Sequence, residues 1–253
     1  MKIASSTRSF ILRTTALVSC VCALGALTGC GDEEDDEETT TAGNQPNANI
    51  SFFVTSTTHD GNLGGLTGAD KTCDDLATAV GAGSKTWRAY LSTANNGTPQ
   101  HARDRIGTGP WVNAMGMTIA ANVDALQALK GNADMFITEK GEKVNGQWNG
   151  SNGMNGAPAN EHDVMTGSGP DGRLISTLDP MTMMPQQSTC SDWTSNTLTP
   201  GPQVGHTDGM GPGMDVSTER FTSWSGGHPA RGCSTADLAP SGSTGRLYCF
   251  ATN

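Results

Sequence analysis

The sequence predicts one loop-rich α+β domain over residues 50–253, and three observations predict it. Hydrophobic residues are 35% of the chain and aromatics 5%, against 33 glycines in 253 residues, which supports a modest core threaded through many turns. One segment has clear helical periodicity and runs straight into an alternating, strand-like segment. About 200 residues remain after a leader and a polar tract, a length within single-domain range.

Residues 1–30 read as a targeting segment and take no part in the fold. Lys2, Arg8 and Arg13 make a positive start, and Ala16 to Leu27 form an apolar stretch too short to span a bilayer. The sequence Leu27-Thr28-Gly29-Cys30 resembles a bacterial lipobox. That resemblance implies cleavage before Cys30, lipidation of Cys30 and stable anchoring by several acyl chains. Residues 31–49 carry the acidic run Asp32 to Glu38 and then a polar tract. Like charges without apolar residues repel and stay extended, so this stretch is expected to be a disordered tether.

The domain is expected to begin with a strand over Ser51 to Ser56, centred on Phe52-Phe53-Val54. A helix follows. Thr67 and Asp70 have capping-box spacing, and Cys73, Leu76, Ala77 and Val80 fall at i, i+3, i+4 and i+7 on one face. Gly81 and Gly83 suit its end. Trp87, Ala89 and Leu91 then alternate with Arg88 and Tyr90, as in a half-buried strand. Asn122 can cap a second helix, Val123 to Lys130, stopped by Gly131. Met135 to Thr138 and Lys143 to Asn145 flank a turn and fit a hairpin. Stretches 146–160, 176–188 and 200–215 lack periodicity; loops of such length are commonly functional or disordered. Short strands are expected near Cys190 to Thr194, Phe221 to Trp224 and Arg246 to Phe250.

Several of these segments resemble, in order, the endostatin module of collagens and a related domain of bacterial surface lipoproteins. The matching residues are Gly64-Gly65, Gly68-Ala69-Asp70, Cys73, Arg88-Ala-Tyr-Leu-Ser92, Gly109-Pro-Trp-Val-Asn113, Thr138-Glu-Lys-Gly-Glu142, Asp171-Gly-Arg173, Cys190-Ser-Asp-Trp-Thr194 and Gly245-Arg-Leu-Tyr-Cys-Phe250. The resemblance covers roughly residues 50–253. It implies a C-type-lectin-like fold: two short helices on small mixed sheets, with long loops on the ligand face.

Four cysteines remain beyond the leader and Cys30: Cys73, Cys190, Cys233 and Cys249. An exported, loop-rich domain commonly bridges its cysteines. Four allow three pairings, among which sequence alone does not choose. The family resemblance implies Cys73 with Cys249 and Cys190 with Cys233.

Charge narrows the partners. The chain holds 15 basic and 25 acidic residues, and without the leader and the acidic run 12 face 18, a net of −6. Nucleic-acid binding needs a basic footprint, and none is present. Endostatin-type heparin binding through surface arginines is not expected either.

Catalytic signatures are absent: no H-E-x-x-H, G-x-S-x-G, C-x-x-C or D-x-D-x-D-G. Glu161-His162-Asp163 and His206-x-Asp208 have the residue types of a metal site. Adjacent strand residues point to opposite faces, however, so the first group is read as polar loop residues, and no metal or other cofactor is expected. The zinc site of endostatin uses histidines at the extreme N-terminus, and nothing here matches them. Trp193 and Trp224 are expected in the core, Trp111 could pack there or stack on a sugar, and Trp148 sits in a Gly/Asn loop and could stack on a sugar.

The resulting expectation is a lipid-anchored cell-envelope protein, exported to the outer membrane or cell surface, with a non-catalytic adhesion domain. Its ligand would be a glycan or a protein, bound by Trp148, Asn149, His162, Asp163, Arg173, His206 and Asp208. The alternatives are a metal-assisted hydrolase using His162, Asp163, His206 and Asp208, and a purely structural envelope protein.

Overall fold

A computed structural model of the chain describes residues 48–178 and 185–252. The expected signal segment, Cys30 and nearly all of the acidic tether lie outside the described residues. Among the described residues, no helix is long and apolar enough to cross a membrane.

The strands in chain order are β1 (Phe52–Val54), β2 (Trp87–Ala89), β3 (Trp111–Val112), β4 (Thr118–Ala120), β5 (Asp163–Met165), β6 (Ser176–Leu178), β7 (Pro185–Gln187), β8 (Gln203–His206), β9 (His228–Pro229) and β10 (Tyr248–Ala251). They form four small antiparallel sheets, ordered β1-β10-β2, β3-β4, β5-β8-β9 and β6-β7. The main helix is α1 (Gly65–Ala79), and the second is α2 (Val123–Gln127). The fold is α+β, with small sheets, short helices and two disulfides.

The sheet β1-β10-β2 is buried on both faces because its side chains alternate. Phe53, Ala89, Cys249 and Ala251 face α1, where they meet Cys73 and Ala77. Phe52, Tyr90, Tyr248 and Phe250 face the other way, into Trp111, Phe136 and Trp224. Aromatic pairs fill that second layer: Phe52–Phe250 and Tyr90–Trp224 have ring centroids 4.8 Å apart, and Tyr248 meets Trp224 edge-on at 5.1 Å. The Tyr248 hydroxyl donates to the Trp224 carbonyl at 2.7 Å, so its burial leaves no unpaired donor. In the segment expected as a half-buried strand at Trp87 to Leu91, Trp87, Ala89 and Leu91 are buried as read, Arg88 is partly exposed, and Tyr90 is buried as well.

Helix α1 keeps its expected face but not its expected start. Cys73 and Ala77 are buried, and Leu76 and Val80 pack against them. The helix begins at Gly65, behind Gly64 at φ 73°, with no side-chain cap. Thr67 and Asp70 lie within it. The Asp70 carboxylate leaves the helix altogether: it accepts from the Ala89 N–H at 2.9 Å and from Arg105 Nη2 at 2.8 Å. A tertiary ion pair outcompetes the local capping box.

The cysteines pair as Cys73–Cys249 and Cys190–Cys233. The first joins α1 to the middle strand of the main sheet. It closes a loop with a sequence separation of 176, the second one of 43. The chain-entropy model assigns such loops about 5 and about 4 kcal/mol.

Other elements depart from expectation. Asn122 caps α2 as read, its Oδ1 accepting from the Ala125 N–H at 2.9 Å, but the helix ends at Gln127. The expected hairpin reduces to one bridge, Ile137 to Lys143. The segment expected as a strand at Cys190 is instead a left-handed turn: Cys190, Ser191, Asp192 and Trp193 all have φ between 51° and 66°. Left-handed residues cost roughly 1–2 kcal/mol each. Tertiary contacts hold them, since Asp192 accepts from the Ala94 and Asn95 N–H groups and Trp193 Nε1 donates to the Ser92 carbonyl. The strand expected at Phe221 to Trp224 is a short helical turn over Glu219–Thr222. The unperiodic stretches hold β6, β7 and β8, so two of the three contribute to sheets.

Candidate metal centre

The sheet β5-β8-β9 brings histidines and a carboxylate together by register. Asp163 lies directly opposite His206, and His228 opposite Val204, two residues along from His206. Side chains two apart on a strand share a face, so Asp163, His206 and His228 project to one side. Gly205, between them, faces the other way against the Trp224 carbonyl, where a β-carbon would collide. His162 precedes the first strand residue, so strand alternation does not govern it. Its ring turns to the same side as Asp163 and stacks on His206, with centroids 4.8 Å apart. The expectation that Glu161, His162 and Asp163 do not all share one ion holds, but His162 and Asp163 do come together, which strand alternation alone would not give. Glu161, by contrast, does point away, to Arg246 Nη2 at 2.9 Å.

Three ring nitrogens converge on the Asp163 carboxylate. His162 Nε2 and His206 Nε2 lie 3.2 and 3.1 Å from Oδ1, and His228 Nε2 lies 3.3 Å from Oδ2. Asp163 is fully buried, yet neither oxygen has a hydrogen-bond partner of acceptable geometry. A buried carboxylate in that condition is costly unless something else neutralises it.

The outer nitrogens explain the arrangement. His162 Nδ1 donates to Asp208 Oδ1 at 2.8 Å, His206 Nδ1 to the Phe221 carbonyl at 2.7 Å, and His228 Nδ1 to the Pro229 carbonyl at 3.1 Å. Carboxylates and carbonyls only accept, so each Nδ1 carries the proton. In the neutral rings the three Nε2 atoms are then lone pairs, all aimed at a carboxylate's lone pairs. Lone pairs facing lone pairs repel, and a cation between them removes the conflict. Metal-bound histidines characteristically commit their second nitrogen in this way. The spacing agrees. Zinc bonds of about 2.0–2.1 Å in a tetrahedron put ligand atoms about 3.3 Å apart, and the Asp163–histidine distances are 3.1–3.3 Å. The ligand atoms of His162, Asp163 and His206 all lie within 4.8 Å of one another, and His228 stands beside the other carboxylate oxygen.

Asp208 is the outer support. Its Oδ1 also accepts from the Met210 N–H, and its Oδ2 from the Gln147 and Trp148 N–H groups. Burial alone would raise its pKa. The His162 bond and charge, with the Met210 and Trp148 amides, outweigh that and hold it below the ordinary value. Burial likewise pushes His206 down, but its contact with Asp163 and the Asp163 charge, helped by the Phe221 carbonyl and Asp208, leave its pKa raised. In the ion-free protein His206 thus holds a proton more tightly than an ordinary histidine.

No protein-family model matches the chain, and no curated protein matches its sequence. The centre therefore stands on its own geometry.

The other expected ligand residues divide. Trp148 and Asn149 sit just behind the centre, through the backbone that holds Asp208. The Trp148 ring is half-buried, donates through Nε1 to the Val144 carbonyl at 2.8 Å and has Lys143 Nζ 4.8 Å over its face. Asn149 Oδ1 accepts from the Gly146 N–H and the Ser151 hydroxyl, closing the same loop. Arg173 is apart, exposed on its turn with Asp171. Trp193 and Trp224 are core residues, as expected, and Trp111 is buried with them. His228 was not singled out. The available signal was the scarcity of histidine: of five in the chain, three meet here.

A cavity of about 540 Å³ opens over the centre. His162, His206 and His228 line it, together with Gln147, Asn160 and Arg220. Trp148 lines a different depression, with Lys130, Asp134 and Met210.

Proposed function

We propose that this chain is an exported, lipid-anchored envelope protein whose domain binds a zinc-class divalent ion and uses it to engage a ligand. One observation carries the reading: three histidine lone pairs, each oriented by a proton-accepting partner, converge on a buried carboxylate that has no hydrogen bond. Imidazole with one carboxylate suits first-row divalent ions, zinc and iron among them. The lipobox-like end of the leader and the two disulfides support an oxidising, extracytoplasmic setting. The ordered endostatin-like motifs and the matching cysteine pairs support a C-type-lectin-like fold, whose long loops carry the ligand face.

Elemental analysis of the purified protein tests the central claim. The expected result is one equivalent of zinc or iron, absent from His206→Ala. Metal-free protein that also fails to bind added zinc would refute it. Detergent partitioning of Cys30→Ser tests the anchor, with loss from membranes or blocked processing expected.

A metal-assisted hydrolase is the second reading, favoured by the cavity over the centre. Catalytic zinc sites commonly keep three protein ligands and one open position. That reading predicts that the metal-loaded protein, and not His206→Ala, cleaves an activated ester such as p-nitrophenyl acetate.

A further inference from the structure

We propose that the ligand of this centre is a small polar molecule bearing a carboxylate or phosphate group, which binds the ion from the cavity side with Arg220 as its counter-charge. The proposal rests on the metal reading above.

The first argument is directional. Asp163 and Asp208 do not line the cavity, whereas the rings of His162, His206 and His228 do. The carboxylates therefore stand behind the ion position and the free approach is from the cavity. His228 lies nearest Oδ2, whereas His162 and His206 lie nearest Oδ1, and its side chain is 17% exposed against 5% and 2% for those two. With His162, Asp163 and His206 as the ion's three ligands and His228 at the rim, the ligand would take the next coordination position from the cavity side.

The second argument is charge. The folded part of this chain is acidic, yet no carboxylate lines this cavity. Its one cationic side chain is Arg220, which is exposed and has no ion-pair or hydrogen-bond partner among the described residues. A divalent ion and Arg220, set against the Asp163 and Asp208 charges behind the ion, leave a net positive charge at the cavity. Guanidinium recognises planar carboxylates and phosphates with two parallel hydrogen bonds. Arg220 also adjoins Phe221, whose carbonyl orients His206, so the counter-charge and a metal ligand are set by the same short turn.

The third argument is size and lining. The volume of about 540 Å³ falls within that of small-molecule sites. Gln147, Asn152, Asn160 and Ser241 offer amides and a hydroxyl for a polar ligand body, and Phe221, Pro212 and Pro240 an apolar wall. A sulfated polymer is disfavoured differently, because the net negative charge of the folded part repels an extended polyanion.

The test uses protein loaded with Co(II), whose visible bands report coordination. Inorganic phosphate, acetate, glucuronate and neutral glucose are titrated separately. At least one anion is expected to shift the bands saturably, and glucose is not. Phosphate against glucuronate separates the two sources of oxyanion. Arg220→Gln should still take up one Co(II) but bind the responsive anion at least tenfold more weakly. Co(II) uptake without any anion response would overturn this proposal and leave the metal reading intact. An anion response equal in Arg220→Gln would overturn the role of Arg220. Failure to take up Co(II) would overturn the metal reading itself.

Discussion

Two three-stranded antiparallel sheets of this domain differ in what fills them. In β1-β10-β2 the facing positions hold Phe52, Tyr90, Tyr248 and Phe250, and the sheet is closed by hydrocarbon and a disulfide. In β5-β8-β9 they hold Asp163, His206 and His228, with His162 alongside. Both arrangements are buried. The first gains from burial itself, since aromatic surface leaves water. The second pays a desolvation cost that only a charge of opposite sign can offset. The comparison teaches that the same backbone ladder can either be a core or demand a ligand, depending on a few side chains at the paired positions.

The two regions should come apart experimentally, and the largest effect belongs to the hydrocarbon sheet. Replacing Cys73 and Cys249 with alanine removes about 5 kcal/mol. In a domain of this size that is a fall in melting temperature of roughly 10–20 °C. Metal content of the folded fraction should be unchanged. Differential scanning calorimetry with elemental analysis checks both; loss of metal alongside stability would mean that the regions are coupled.

Metal removal comes next. An ion at about a thousandfold excess over its dissociation constant stabilises by about 4 kcal/mol. A chelator should therefore lower the melting temperature of the wild type and leave that of His206→Ala unmoved. Sensitivity of the variant to the chelator would place the ion elsewhere.

Asp208→Asn probes the outer support. The amide keeps the shape, but its charge is gone and it has one accepting oxygen where Asp208 has two, so its nitrogen faces donors either at His162 Nδ1 and Met210 or at Gln147 and Trp148. Loss of such partners costs about 10–100-fold in metal affinity. Competition against a zinc-sensitive dye measures it, and an unchanged affinity would show that Asp208 is a packing residue only.

The smallest effect is in pH. His206 in the ion-free fold has a raised pKa. The protonated ring then stabilises the ion-free protein below the unfolded-state pKa, and that contribution is lost as pH rises through the folded value. Metal binding must displace this proton. Affinity should thus rise with pH through that raised value and level off above it. The same titration on His206→Gln should lack this step.

Residue type and local spacing determined a good part of this protein. The buried face Cys73–Ala77 of α1 follows from period 3.6 and the Asn122 cap from a side chain that accepts three residues on; both are local, and both are present. The candidate metal-site residues His162, Asp163, His206 and Asp208 were legible as chemistry, because histidine and carboxylate are what such sites use. Their convergence was not. It depends on Asp163 pairing with His206 across a 43-residue separation, and a slip of one residue would turn His206 to the opposite face. Local pattern does not carry that register. It also does not say that β5 starts at Asp163, which frees His162 from alternation, or that β9 delivers His228. The capping box at Thr67 failed for the same reason: Arg105, 35 residues away, captures the Asp70 carboxylate. Where partners lie within a turn or two of helix, sequence decides; where a side chain's partner is brought by another strand, only the tertiary structure does.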